Sequence, residues 1–316
     1  MKIIQRCDYA FPAKGSAGAE RLVESLCKGL KQLGHDVVLW CKPGSKLDFV
    51  ECVETLPEGF DIINAHGWEP QKEDEYNSWG VPWVNVIHGG GSESDPFWLA
   101  KANNNPNIVC VSKVIADRIN CKAYVHSCVD PSEFKFRPIK QDYFLYLSGL
   151  DWGFAKGLDI FIELAKLTPS KQFVIAGSGK NQEILQFIVQ SCEKIKNLKF
   201  VGEVNGLTKV NLISDAKALI MPTKLNDACP LTVPESLMCG TPVIGSTNGS
   251  LPELLNNKIG FNCATIPEYM KALLVINKIK PADCRKEAEE RFSSVSAAKK
   301  YISLYEKRLQ YGSVQV

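Results

Sequence analysis

Two carboxylates eight positions apart, Asp227 and Glu235, stand in the stretch NDACPLTVPESLMCGTPVIGSTNGSLPE, residues 226–253, with a Pro-containing helix and a short apolar strand. An ionised carboxylate only accepts hydrogen bonds, and its two oxygens can serve two hydroxyls at once. Between the acids, backbone N–H groups near Leu231 and Thr232 open a helix, a position suited to an anion. The plain alternative is that both acids are helix N-terminal charges that complement the dipole. A third group, Lys156, lies in SGLDWGFAKGLD, residues 148–159, a loop that starts with Gly149. An ammonium there can meet phosphate charge, or it is a solvated surface lysine.

Two histidines end apolar runs. His88 closes NVIH and is followed by three glycines, which permit close approach of a ligand; His66 closes INAH. Lone histidines are often structural, and His66 is equally readable as an acceptor-site or a core residue. His35 belongs to a helix-to-strand turn, and His126 carries no role. The Gly-rich GSAGAE, residues 15–20, includes Gly18; its spacing is not that of a dinucleotide loop, and a simple strand-to-helix turn accounts for it as well.

These residues need elements to carry them. A strand near residues 2–5 precedes GSAGAE, and Ala19, Leu22, Val23, Leu26, Cys27, Leu30 and Leu33 recur at three- and four-residue spacing, predicting an amphipathic helix that Gly34 ends. The runs DVVLW, FDIIN, WVNVIH and NIVCVS are short and β-branched, as buried parallel strands are. From residue 143 the alternation restarts with YFLYLSG, QFVIAGSG, LKFVG and ALIMP, separated by helical patterns. The polar DPSEFKFRPIKQD divides the two. The predicted class is α/β with two Rossmann-like, doubly wound parallel-sheet domains facing a cleft, since such sheets bind ligands at the carboxyl ends of their strands. The predicted boundaries are 1–135, 136–298 and a terminal helix 299–316 that packs back on the first domain.

Composition narrows the function. The 37 basic and 35 acidic residues of the 316-residue chain are mixed along it, which excludes the cationic block of a nucleic-acid binder. Twelve cysteines without a C-x-x-C pair read as buried thiols rather than a zinc ribbon or a disulfide scaffold. The N-terminus MKIIQRCDYAF does not read as a signal peptide, and no apolar run approaches a membrane span. A soluble, cytoplasmic protein is expected, with loose attachment to a membrane surface left open.

The acid–seven residues–Glu spacing, the string CGTPVI and the turn ending in Pro252–Glu253 resemble the signature of family 4 retaining glycosyltransferases, group 1 glycosyl transferases with the GT-B fold. The resemblance extends more weakly over most of the chain. It implies an N-terminal acceptor-binding domain and a C-terminal domain that holds a nucleotide-sugar donor, UDP- or GDP-linked. Glu235 would then clasp the ribose, Asp227 the transferred sugar, and His88 that sugar near its reacting carbon. Lys156 and the N–H groups of Leu231 and Thr232 would face the diphosphate. Gly18 and Gly149 would lie near the donor phosphates, Gly177 near the base, and His66 at the acceptor. Catalytic weight falls on His88, Asp227, Lys156 and Glu235.

Three departures accompany the match. Asp227 stands where Glu is usual; Pro230 replaces a Gly and removes a backbone donor; the Arg expected shortly after Gly149 is missing, with Leu150 or Asp151 there. No Asp-x-Asp occurs, so no metal or other cofactor is expected. No residue stands out as a covalent nucleophile, and the resemblance implies same-face attack with the leaving phosphate taking the acceptor's proton. The alternatives are a GT-B epimerase or phosphorylase, a nucleotide-sugar-binding protein without turnover and, more remotely, a dehydrogenase.

Overall fold

The computed structural model describes residues 1–14, 17–67, 69–89 and 96–316. Gly15 and Ser16 of GSAGAE, Trp68, and the glycines and acids that follow Gly89 lie outside the described residues. The chain forms two compact units: residues 1–130, 228–231 and 290–316 make the first, residues 131–227 and 232–289 the second.

The first unit is built on strands β1 (Lys2–Cys7), β2 (Asp36–Trp40), β3 (Glu51–Val53), β4 (Ile62–His66), β5 (Trp83–Ile87) and β6 (Ile108–Cys110). They form one parallel sheet in the order β3-β2-β1-β4-β5-β6. This is the doubly wound order, whose direction of winding reverses between β1 and β4. Strands β4 and β5 are buried along their whole length, which explains their near-continuous apolar sequences. The helix Gly18–Gln32 covers the sheet with Leu22, Val23, Leu26 and Leu30.

The predicted boundaries at 135 and 298 differ from the edges of these units. The chain leaves the first unit after Asp130, whose carboxylate accepts from Lys28 Nζ at 3.0 Å. After touching it again at 228–231, it returns for its last stretch at Glu290, where Val129 N–H donates to Phe292 O and Ser294 N–H to Val129 O, both at 2.9 Å. Ser293 then caps the helix Ser294–Tyr311 by accepting from Ser296 N–H. A Cβ on Gly29 would lie 2.2 Å from Ser294 O, so the helices Gly18–Gln32 and Ser294–Tyr311 meet where only glycine fits.

The second unit repeats the plan with β7 (Tyr143–Leu147), β8 (Gln172–Ala176), β9 (Leu198–Phe200), β10 (Ala218–Met221), β11 (Val243–Ser246) and β12 (Gly260–Cys263). The order β12-β11-β10-β7-β8-β9 is again parallel throughout, with its reversal between β7 and β10. No helix among the described residues is long and apolar enough to cross a membrane. All twelve cysteines are free thiols, most of them buried.

Candidate functional site

In the second unit the loops after β7 and β10, the two strands that flank the reversal, bring Lys156 and Asp227 together. Gly157 makes this possible: its φ is +77°, and a Cβ there would fall 1.9 Å from Pro222 O. The β7 loop therefore lies directly on the chain leaving β10, and Lys224 N–H donates to Ala155 O at 2.8 Å. Lys156 Nζ forms a short ion pair with Asp227 Oδ1. The other oxygen, Asp227 Oδ2, is buried without a partner among the described residues.

The turn after β11 holds Asp227 from behind. Ser250 N–H donates to Asp227 O at 2.9 Å, and Asn248 Nδ2 to Thr223 O at 2.9 Å. At Gly249, with φ +58°, a Cβ would lie 2.5 Å from both Asp227 N and O. The small residues of STNGSLPE thus serve to seat the acid.

Glu235 lies in the first turn of the helix Thr232–Met238 and is 3% exposed. Lys209, from the helix Gly206–Asp215, donates to its Oε1 at 2.6 Å, and Oε2 is buried without a partner among the described residues. Both candidate acids therefore share one design: one oxygen neutralised by a lysine, the other desolvated and unused. An orphaned buried acceptor costs about 1–3 kcal/mol unless something donates to it. A pair of such oxygens is equipped to take hydroxyl donors.

The loops after β7 and β8 also meet. A Cβ on Gly177, φ +149°, would lie 2.0 Å from Ser148 O, and one on Gly179 would lie 2.9 Å from Asp151 N. The close approach these glycines permit is to their own chain. Asp151, one of the two residues at the place of the missing Arg, accepts from Lys180 N–H at 2.5 Å and Asn181 N–H at 2.9 Å, which binds the two loops to each other. A Cβ on Gly149 would meet nothing within 4 Å. Thr232 directs its hydroxyl to Met221 Sδ at 3.3 Å.

The first unit carries the histidines. Two-residue periodicity puts Asn64 and His66 on one face of β4; Gln5 of β1 is in register with Asn64, and Val86 of β5 with His66, so His88 follows two positions on. The four side chains form one network. His66 Nε2 lies 2.8 Å from Gln5 Oε1 and His66 Nδ1 3.0 Å from His88 Nε2; Gln5 Oε1 also accepts from Asn64 Nδ2 at 3.0 Å. Burial holds the His66 imidazole well below its ordinary pKa, with the His88 charge adding to it, and burial alone lowers His88 to about 4. Gly18 opens its helix with Leu231 Cδ1 as the nearest neighbour of a notional Cβ, at 3.8 Å.

The structure thus brings Lys156 to Asp227 and His66 to His88, and gives Glu235 a partner the sequence did not point to, Lys209. Gln5 and Asn64 were also missed, although a buried amide at alternate positions of an apolar strand was a visible signal. Lys209 gave none, because a lysine on a mixed helix reads as solvated.

Two six-stranded parallel sheets of doubly wound order are those of a GT-B glycosyltransferase. The chain belongs to the glycosyl transferases group 1 family, whose profile matches residues 130–293. A curated relative is one of the human phosphatidylinositol N-acetylglucosaminyltransferase subunits, 22% identical over 170 residues that cover 50% of this chain and 35% of that protein. The chain thus spans well under half the length of this relative. Among solved structures, AviGT4, a glycosyltransferase involved in avilamycin A biosynthesis, superposes with a TM-score of 0.75 at 18% identity, over 98% of this chain and 99% of that one. The Anabaena protein HepE in complex with UDP-glucose gives 0.73 at 15% identity, over 97% and 100%. At these identities the likeness speaks for the fold.

Proposed function

We propose that this chain is a retaining glycosyltransferase that moves a sugar from a UDP- or GDP-linked donor to a hydroxyl of a glycan, lipid-linked, protein or small-molecule acceptor. The observation that carries the reading is the pair of half-satisfied acids at the ends of the second sheet, Asp227 with Lys156 and Glu235 with Lys209. Glu235 Oε2 accepts a ribose hydroxyl and Asp227 Oδ2 a hydroxyl of the transferred sugar. Lys156 meets the charge that grows on the leaving diphosphate, and in the first unit His88 receives a sugar hydroxyl. The bond between the anomeric carbon and the phosphate oxygen breaks, the acceptor oxygen bonds on the same face, and its proton passes to the leaving phosphate. No metal enters this scheme, so a chelator leaves turnover unchanged. The free thiols support a reducing, cytoplasmic setting.

The test is a thermal-shift panel of UDP, GDP, ADP and their sugar conjugates, with products analysed in the presence and absence of acceptors. A ligand held only by the folded state raises the melting temperature with concentration. One nucleotide is expected to do so in the wild type, and Glu235→Ala to lose both that shift and turnover; wild-type rates in Glu235→Ala would sink the assignment. One observation favours a second reading, nucleotide-sugar binding without turnover: neither Leu150 nor Asp151, the two residues at the place where the resemblance expects a phosphate-binding Arg, offers a cation, and Asp151 Oδ1 accepts from backbone N–H groups. A nucleotide shift with no product from any donor would select it.

A further inference from the structure

The polar network under His88 has a direction. Gln5 and Asn64 are fully buried on adjacent strands, and Gln5 Oε1 accepts from Asn64 Nδ2 at 3.0 Å while Gln5 Nε2 faces the Tyr305 hydroxyl at 3.4 Å. The Gln5 oxygen therefore points at His66. At 2.8 Å from that oxygen, His66 Nε2 has to carry the hydrogen, since two lone pairs at this distance would repel. Asn64 Nδ2 lies 3.4 Å from the same nitrogen, and the shorter contact decides between them. A neutral His66 then has its lone pair on Nδ1, and His88 Nε2, 3.0 Å away, is the group among the described residues placed to donate to it. His88 thereby carries its hydrogen on Nε2.

We propose that Gln5 and His66 are positioning residues that lock His88 in the Nε2–H tautomer and leave its Nδ1 a pure hydrogen-bond acceptor. A nitrogen so prepared takes a hydroxyl; it has nothing to offer a phosphate or carbonyl oxygen. Among the described residues His66 is the only hydrogen-bond partner of His88, so Nδ1 is left for a ligand. The chain of donors runs from His88 to the helix Ser294–Tyr311, where the hydroxyl of Tyr305, itself fully buried, accepts from the Gln5 amide and fixes its orientation. In its consequence for turnover the inference rests on the sugar-transfer reading above; the tautomer does not.

Long-range proton–nitrogen spectra of the full chain labelled in its histidine rings read the tautomers directly, with His35→Gln and His126→Gln variants for assignment. The expected wild-type spectrum at neutral pH shows Nε2–H at both His66 and His88. Gln5→Glu keeps an acceptor at that place, so His66 keeps its hydrogen on Nε2. Gln5→Met removes the acceptor, releases His66 into a tautomer mixture, and lowers kcat roughly tenfold or more with the donor KM unchanged. Nδ1–H at His88 in the wild type would overturn the proposal, as the whole network would then run in the opposite sense. Unchanged ring signals in Gln5→Met would overturn the role of Gln5. If the Nε2–H signals are present and no donor is turned over, the relay stands and the transferase reading falls. Should Gln5→Met fail to fold, the wild-type and Gln5→Glu spectra still decide the tautomer.

Discussion

Lys209 Nζ lies 2.6 Å from Glu235 Oε1, with the two side chains 14% and 4% exposed. At this burial the pair is weak evidence of net stabilisation, since desolvation offsets most of the attraction, but removing one partner strands a charge. Lys209→Met is therefore expected to lower the unfolding free energy by roughly 3–5 kcal/mol. Lys209→Met combined with Glu235→Gln, which neutralises the stranded acid, is expected to recover more than half of that loss. Urea unfolding of the four proteins of the cycle measures the coupling. Additive effects would show that the two groups do not share charge.

Gly157 is the contact on which Lys156 turns. Its left-handed backbone and the 1.9 Å from a notional Cβ to Pro222 O both exclude alanine, and the second cannot be relieved by a side-chain rotation. Gly157→Ala is expected to destabilise the protein by about 1–3 kcal/mol from backbone strain, plus whatever the loop loses in separating from Pro222. Nucleotide affinity should fall with it, because Lys156 moves with the loop. Gly149→Ala, where a Cβ meets open space, is the control and should unfold like the wild type. Thermal melts and a nucleotide titration of both variants check this.

The parallel strands were legible because burial on both faces writes itself as short β-branched runs, and Lys2–Cys7, Asp36–Trp40 and Tyr143–Leu147 fall where those runs do. The edge strands Glu51–Val53 and Gly260–Cys263 were not, since neither carries an apolar run that stands out from its flanks. For the candidate site, Asp227 and Glu235 were singled out by type and spacing and Lys156 by the resemblance, and the string CGTPVI pointed to the family. What spacing cannot encode is which lysine a carboxylate meets across the fold; Lys209 is 26 residues from Glu235 in sequence. The glycines show a related limit. Gly177 reads as a place for a ligand, and its nearest neighbour is Ser148 O of its own chain.

The histidine pair makes stability depend on acid. His88 is lowered to about 4 by burial and His66 lies well below its ordinary value, while both rise to about 6.5 when the chain unfolds. Between these limits the unfolded chain binds more protons than the folded one, so stability increases with pH across the window and is lost as pH falls from about 6.5 toward 4. For a group lowered from its ordinary value of 6.5 to about 4, the full difference approaches ~3 kcal/mol. Urea midpoints measured from pH 7 to pH 4.5 should fall for the wild type. The fall should be shallower in His88→Asn, which removes one of the two proton-binding groups; an identical slope would mean that carboxylates elsewhere carry the whole dependence.

Asp227 and Lys156 are partners, and the diphosphate of the proposed donor would compete with Asp227 Oδ1 for the ammonium. On that reading Oδ2, which has no partner among the described residues, takes the sugar hydroxyl. Asp227→Asn removes the competition for Lys156 while keeping the size of the side chain. The pair is partly exposed, at 24% and 14%, so its release is worth about 0.2–1 kcal/mol, and the nucleoside diphosphate should bind Asp227→Asn as tightly as the wild type or a few-fold more tightly. Turnover of the nucleotide sugar should fall by one to two orders of magnitude, because charge-assisted hydrogen bonds of about 1.5–3 kcal/mol to the sugar are lost. Lys156→Met should reverse the pattern at the nucleotide and weaken the diphosphate. Calorimetric titration with the nucleoside diphosphate, set beside kcat for the sugar conjugate, separates the two roles. Loss of diphosphate affinity in Asp227→Asn would place that acid in the nucleotide seat instead of the sugar seat.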